Sequence, residues 1–425
     1  MKKSIYANVE RKGDGVIVHN TLFGGIVKAT CNNSMQFLDR IENEPNFDID
    51  ENAKFHQTLK ELRMIVDDDV DETNLASYYY ESNRKRDLFI ILYVTKQCNF
   101  RCVYCSQVHE NKTMSEETYN DILHVLEGYL DTHGYRRIWL SFFGGEPLLE
   151  YNAICEFSER VYEMTKRKNV EYRAGITTNG YLLTTERLKK LVSLKVTDYQ
   201  ITLDGLKEKH DKARVLQGKG GSWDTIVKNL TEAKSSDCAF TFMIRTNFDD
   251  EVISMSDRYI EYLSANFKDD LRFTFHFEAV KNLSGATDID FALVDDEASC
   301  IAEITSVAKK AGLNVYTTNA VMHPLGVSCY ATSGDSFAVD YDGTVLKCTV
   351  HIDSGKNKVG KINDKKIFVE DTLLANWTSF GLKEKCRSCK ILPICYNKKC
   401  PLAPSDEEHC AKLTSMYENA VKMLI

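Results

Sequence analysis

Between residues 88 and 312, short and almost wholly apolar runs alternate with longer segments whose apolar positions recur every three to four residues. The series opens on Leu88-Phe-Ile-Ile-Leu-Tyr-Val94. Strands are expected at 88–95, 137–143, 171–177, 198–203, 239–246 and 271–279, and amphipathic helices near 115–132, 151–167, 185–193, 222–235, 255–266 and 295–311. Continuously apolar strands separated by helices imply a parallel sheet with helices outside it. Six such units predict an α/β fold, a partial (β/α)6 barrel with its chemistry at the C-terminal strand ends.

The flanks read differently. Ser4–Val9, Gly15–His19 and Phe23–Lys28 are short strand candidates, followed by helical segments near Ser34–Glu44, Ala53–Val66 and Glu72–Glu81. Residues 1–87 therefore suit a winged-helix-like module. The acidic run Asp67-Asp68-Asp69 with Asp71 and Glu72 reads as a solvated helix start. After residue 312 the pattern changes to short strands and turns. Asp342-Gly343, between Ser336–Tyr341 and Thr344–Cys348, predicts a hairpin. The expected domains are 1–87, 88–312 and 313–425.

Composition narrows the classes. The apolar fraction of 43% with 27% charged residues is that of a packed globular protein, and a net charge of −8 argues against nucleic acid held on a broad basic face. Two lysines follow Met1 without an apolar stretch behind them, which does not read as a signal peptide. No run is long enough to span a bilayer, so a cytoplasmic protein without a membrane partner is expected. In a reducing compartment, fourteen cysteines point to metal ligands rather than disulfides. Cys31, Cys155, Cys238 and Cys300 stand alone, while the others fall within residues 98–105 and 329–410.

The first group, Cys98-x3-Cys102-x2-Cys105, directly follows the first strand. Thiolates are soft ligands suited to Fe–S clusters or zinc. Three of them can hold three irons of a cubane and leave the fourth open, and no fourth Cys follows in the loop, only His109. The next strand ends run into Phe143-Gly144-Gly145-Glu146-Pro147, Thr177-Thr178-Asn179-Gly180, Thr202-Leu203-Asp204-Gly205 and Arg245-Thr246-Asn247. Asn-Gly and Asp-Gly also mark plain β-α turns. Together these segments ring the barrel mouth with hydroxyls, carboxylates and an arginine.

The cysteine spacing, the Gly-Gly-Glu-Pro segment and the strand order over 88–279 resemble the radical SAM enzymes. That resemblance implies a [4Fe-4S] cluster on Cys98, Cys102 and Cys105, with S-adenosylmethionine chelated at the open iron and cleaved reductively to a 5′-deoxyadenosyl radical. It implies Tyr104 beside the adenine, Gly144 and Gly145 by the methionyl amine, Thr202 by the ribose and Arg214 on the carboxylate, with Glu146 also among the cofactor-binding residues.

The second cysteine group contains Cys329, Cys348, Cys386-x2-Cys389-x5-Cys395-x4-Cys400 and Cys410. A zinc ribbon could use the C-x2-C pair but leaves the others unexplained. The group resembles the SPASM extension of radical SAM enzymes, with x4 where x3 is usual. The resemblance implies two auxiliary clusters, three in all: an outer one on Cys386, Cys389, Cys395 and Cys410, and an inner one on Cys329, Cys348 and Cys400. His323 stands where relatives carry a further cysteine, so it is a fourth ligand or the inner cluster keeps an open iron. SPASM enzymes mostly modify peptides. Thr349 occupies the position of the catalytic Asp of sulfatase-maturating relatives, which argues against that activity. The N-terminal module resembles the leader-binding element of ribosomal peptide maturases. The expected function is a maturase that forms a Cys thioether in a ribosomally made precursor peptide, with flavodoxin or ferredoxin as electron donor. Carbon–carbon crosslinking, epimerisation, sulfatase-type formylglycine formation, or a non-catalytic Fe–S or zinc peptide-binding scaffold are the alternatives. His276, Glu278 and Asp340 are the candidate proton acceptors.

Overall fold

A computed structural model describes the chain except for residues 14, 30, 45–46, 51–52, 83–86, 219, 282–292, 317–318, 326–328, 353, 380, 399, 402–404, 423 and 425. The chain divides into two compact bodies. One contains Met1–Lys85, Thr317–Ser333 and Asn376–Ile425; the other contains Arg86–Tyr316 and Gly334–Ala375.

In the first body, β1 (Lys2–Lys3) pairs with β5 (Ile65–Val66), and β2 (Ala7–Lys12), β3 (Gly15–Asn20) and β4 (Ile26–Ala29) form an antiparallel meander. The helices are α1 (Asn32–Asn43), α2 (Lys54–Glu61) and α3 (Glu72–Ser82). The helix expected over 53–66 stops at Glu61. The chain turns through Arg63 at φ 54° and delivers the β-branched pair Ile65-Val66 to the Lys2–Lys3 strand. Glu72 is not solvated as the acidic run suggested. It is buried, and its carboxylate accepts from the Ser4 hydroxyl at 2.5 Å and the Ile5 amide at 3.0 Å.

Every residue of β3 after Gly15 is buried, and the reason is that both of its faces are covered. Val16 and Val18 pack with Phe37, Leu38 and Ile41 of α1. Ile17 joins a core with Ile391, Ile394, Leu413, Tyr417 and Val421. The N-terminal residues and the last fifty thus share one hydrophobic interior, and periodicity along the chain carries no sign of that.

The second body follows the expected alternation closely. β6 (Asp87–Thr95), β8 (Arg137–Gly144), β9 (Glu171–Thr178), β10 (Val196–Thr202), β12 (Thr241–Phe248) and β13 (Phe273–Ala279) lie parallel in that order. The intervening β7 (Phe100–Cys102) and β11 (Arg214–Leu216) form a separate two-stranded ribbon. The helices are α4 (Glu116–His133), α5 (Tyr151–Arg167), α6 (Thr185–Ser193), α7 (Lys207–Ala213), α8 (Trp223–Lys234), α9 (Asp250–Ser254), α10 (Ser256–Phe267) and α11 (Glu297–Lys310). The hairpin at Asp342-Gly343 forms, but its first strand, β14 (Ser336–Val339), pairs parallel to β6. β15 (Thr344–Leu346), β16 (Lys358–Asn363) and β17 (Lys366–Val369) then extend the barrel sheet. The stretch 313–425 is therefore divided between the two bodies.

Alternation along the strands decides what each face does. Ile90 lies by Ile122, Val125 and Leu126 of α4. The opposite face carries Phe89 against Trp139, and a polar series at the N-terminal strand ends. Arg137 bridges Asp87 (3.2 Å) and Glu171 (2.7 Å), and Arg173 grips Asp198 with two hydrogen bonds of 3.0 Å while lying over Trp139. Ion pairs close that end, and the cysteine loop sits at the other. Among the described residues no helix is long and apolar enough to cross a membrane.

Candidate functional site

The site begins where β6 ends. Thr95–Gln97 is gripped by the end of β8: the Gly145 amide donates to the Thr95 carbonyl (3.0 Å) and the Glu146 amide to the Gln97 carbonyl (2.8 Å). This approach dictates the two glycines. Gly144 has φ +135°, and a Cβ there would stand 2.3 Å from the Thr95 oxygen; at Gly145 it would stand 2.1 Å from the Gln97 oxygen. Glu146 is fully buried. Its carboxylate accepts from the Leu148 amide (2.9 Å), the Thr178 hydroxyl (2.7 Å) and the Asn179 amide (2.7 Å). Burial raises its pKa against those hydrogen bonds. It joins the ends of β8 and β9.

The cysteine loop is braced on several sides. The Asn179 side-chain amide donates to the Asn99 Oδ1 (2.7 Å), Arg101 donates to the carbonyls of Cys98 (2.8 Å) and Phe100 (2.7 Å), and the Phe100 amide points at the Cys98 sulfur (3.3 Å). The β7–β11 ribbon sets Cys102 opposite Arg214. Burial pushes the Cys98 thiol up to about 12 and raises Cys102, which Arg214 partly opposes. Both thiols also feel the charge of Cys105. His109 Nε2 lies 4.0 Å from the Cys105 sulfur.

Tyr104 sends its hydroxyl into a buried polar knot. It donates to Asp204 Oδ2 and accepts from Arg214 Nη1 (2.7 Å) and Asn247 Nδ2 (3.3 Å), while the Asn247 amide holds Asp204 Oδ1 (2.7 Å). Burial raises the Asp204 pKa, with Arg214 opposing it. Arg214 begins a strand and is 6% exposed, and its buried Nε has no hydrogen-bond partner among the described residues. Its guanidinium lies over the Phe100 ring.

Residues 92–258 match the model of the Radical SAM superfamily. The match runs from β6 into α10 and takes in the three-cysteine loop. An uncharacterized protein of Methanocaldococcus jannaschii is 27% identical over 285 residues, covering 65% of this chain and 89% of that one. The Fe-coproporphyrin III synthase of Methanosarcina barkeri is 26% identical over 160 residues, and this chain spans only 37% of its length. Among solved structures, native anSMEcpe with bound AdoMet and Cp18Cys peptide has a TM-score of 0.60 at 18% identity, covering 80% of this chain and 97% of that one. Streptococcus suis SuiB bound to precursor peptide SuiA has a TM-score of 0.53 at 16% identity, covering 93% of this chain and 94% of that one. At these identities the likeness is one of fold, an α/β architecture shared with both structures.

The radical SAM family carries a [4Fe-4S] cluster and S-adenosylmethionine. The residues present fit that pair. Three thiols share one braced loop, and beside them Arg214 keeps a buried, unpartnered Nε suited to a carboxylate. Of the expected cofactor contacts, Tyr104 and Arg214 lie in this knot, and Thr202 ends β10 opposite Arg245, two residues before Asp204. Gly144 and Gly145 turn their open side to the backbone of Thr95–Gln97, and Glu146 engages both its oxygens within the protein.

The proton-acceptor candidates separate. His276 and Glu278 share one face of β13, 3.8 Å apart. Burial, with Arg245, lowers the His276 pKa, and its buried Nδ1 has no partner among the described residues. Burial works to raise Glu278, but the Lys281 hydrogen bond (2.7 Å) and the charges of Lys281 and Arg245 outweigh it and hold the carboxyl below its usual range. Asp340 caps its own hairpin, accepting from the Tyr341 amide (2.9 Å), with Lys96 at 3.9 Å. Burial raises its pKa.

Of the second cysteine group, Cys329, Cys386, Cys389, Cys395, Cys400 and Cys410 belong to the first body and Cys348 to the second. Cys386, Cys389, Cys395 and Cys410 come together: Cys395 is pushed up to about 11 by burial, with charge from the other three adding to it. Among the described residues no three such groups converge closely enough to share a single ion. His323 is exposed. The strand-end segments that hold Asn179, Asp204 and Asn247 were legible in the sequence as parts of the mouth, but the roles of those side chains were not, and nothing in the cysteine loop marked Asn99 or Arg101 as its braces.

Proposed function

We propose that this chain is a SPASM-type peptide maturase that acts on a ribosomally made precursor and forms a Cys thioether. The observation that carries the catalytic part is the three-thiol loop set against Arg214, a buried guanidinium whose Nε has no partner among the described residues. Cys98, Cys102 and Cys105 would hold the cluster, and Arg214 and Tyr104 would orient S-adenosylmethionine. When bound, this pair supplies a 5′-deoxyadenosyl radical that removes a hydrogen atom from the substrate. The hydrogen bonds of Tyr104 with Asp204 and Arg214 keep the loop in register.

The peptide part is supported by β4. It is an edge strand, and among the described residues no strand pairs with its outer side; an extended leader peptide added there gains main-chain hydrogen bonds. The likeness in fold to two structures determined with a peptide supports the same reading. Thr349 in place of an acidic residue supports crosslinking over formylglycine formation. Joining a thiol to a carbon removes two hydrogens: one leaves as an atom to the radical, the thiol gives up a proton, and the remaining electron needs an acceptor, for which an auxiliary cluster is the fitting class. The outer cluster on Cys386, Cys389, Cys395 and Cys410 and an inner one on Cys329, Cys348 and Cys400 would bring the total to three. We place the enzyme in a reducing cytoplasm, fed by flavodoxin or ferredoxin.

Anaerobic reconstitution with dithionite and S-adenosylmethionine tests this. Wild type should bind about twelve irons, four per cubane, and release 5′-deoxyadenosine, and Cys98→Ala should release none. A co-expressed candidate precursor should lose two hydrogens by mass spectrometry. Full cluster loading without 5′-deoxyadenosine would end the catalytic reading.

A further inference from the structure

A buried polar chain behind the cysteine loop has no part in any ligand role above. The Asp204 amide donates to His210 Nδ1 (3.2 Å), His210 Nε2 reaches Ser222 Oγ (3.1 Å), and the Ser222 hydroxyl donates to the carbonyl of Arg214 (3.2 Å). His210 and Ser222 are completely buried. Because the partner at Nδ1 is an N–H, that nitrogen must accept, so the proton sits on Nε2. Burial and then the charge of Arg214 depress the His210 pKa far below its usual value, and the ring stays neutral. Asp211 seats the serine by accepting from the amides of Ser222 (2.7 Å) and Trp223 (2.9 Å), and Trp223 meets the imidazole edge-on at 5.4 Å. Gly221 makes room for this, since a Cβ there would lie 2.2 Å from Asp211 Oδ2.

The two ends of this chain are the backbones of Asp204 and Arg214, the residues whose side chains hold the Tyr104 phenol. They flank α7, and His210 spans the gap from within it.

We propose that His210 is a positioning residue: through Ser222 it fixes Asp204 relative to Arg214, so that carboxylate, phenol and guanidinium stay set to receive S-adenosylmethionine beside the three-cysteine loop. This rests on the reading of Arg214 and Tyr104 as contacts of that cofactor. The test titrates S-adenosylmethionine into the reduced, reconstituted holoenzyme and follows the change in the cluster's EPR spectrum. Ser222→Ala and His210→Phe should retain wild-type iron content and bind the cofactor about tenfold more weakly. His210→Asn, whose Oδ1 can replace Nδ1 toward the Asp204 amide, should fall between them and wild type. Nitrogen-15 NMR of the cluster-free chain should show His210 as the neutral Nε2–H tautomer. The proposal is overturned if Ser222→Ala loses only thermal stability or iron while its loaded fraction binds normally, or if the tautomer is Nδ1–H. Arg214→Ala separates the two claims. If it weakens binding and Ser222→Ala does not, the relay fails alone; if neither weakens it, the cofactor reading of Arg214 fails.

Discussion

At the scale of single residues, the site shows how one side chain can be set by demands other than the chemistry it adjoins. Gly145 lies against the start of the three-cysteine loop, and its lack of a side chain answers to the Gln97 carbonyl. Gly145→Ala must displace the loop that carries Cys98, at a cost of roughly 1–3 kcal/mol. The expected outcome is a lower melting temperature together with less iron on the first cluster, read by calorimetry and iron analysis; an unchanged iron content would separate the glycine from the loop. Arg214 teaches the converse. In sequence it ends a helical stretch of charged residues and resembles a surface arginine, but its place opposite Cys102 puts it in the interior. Nothing local in Lys207–Arg214 reveals the pairing, because the partner strand lies more than a hundred residues earlier.

At the scale of elements, the six strand-helix units of the barrel were legible because each strand is buried by its own neighbours, and burial writes apolar runs into the chain. The short ribbon β7–β11 was not legible. Three residues a side carry no periodicity, and one side is the cysteine loop itself. The meander β2–β4 was legible in outline, with its boundaries shifted by up to three residues. If β4 receives an added peptide strand, its exposed Ile26 contributes contact to that peptide. Ile26→Asp should leave the fold standing and weaken precursor binding by about 1 kcal/mol, several-fold in affinity. Fluorescence anisotropy of a labelled precursor would measure this, and equal affinities would exclude the β4 edge as the docking strand.

At the scale of the whole molecule, the shared interior of the first body makes the N-terminal residues and the last fifty stand or fall together. His19 sits in that interior, 1% exposed, accepting from the Tyr417 hydroxyl (2.9 Å) with the Met322 carbonyl on its other side. Burial lowers its pKa to about 4. The folded pKa is thus below the unfolded value near 6.5, so the unfolded state binds more protons between the two, and stability falls as pH drops through that window. The contribution is about 3 kcal/mol, fully present above pH 6.5 and lost towards pH 4. Chemical denaturation across that range should show the acid limb, and His19→Gln should flatten it.

The sequence by itself determined the parallel barrel, the three-cysteine loop at its first strand end and the second set of cysteines, because strand burial and ligand spacing are local properties that one stretch of chain must satisfy alone. Tertiary structure alone decided that residues 1–85 share their core with the C-terminal cysteine segment, that the hairpin at Asp342-Gly343 extends the barrel sheet, and that Asp204, Tyr104 and Arg214 meet in one buried knot. Those outcomes depend on which distant surfaces pair when both faces of β3, or both edges of β6, must be covered. A strand that needs covering announces the need in its own composition but not the identity of the segment that meets it.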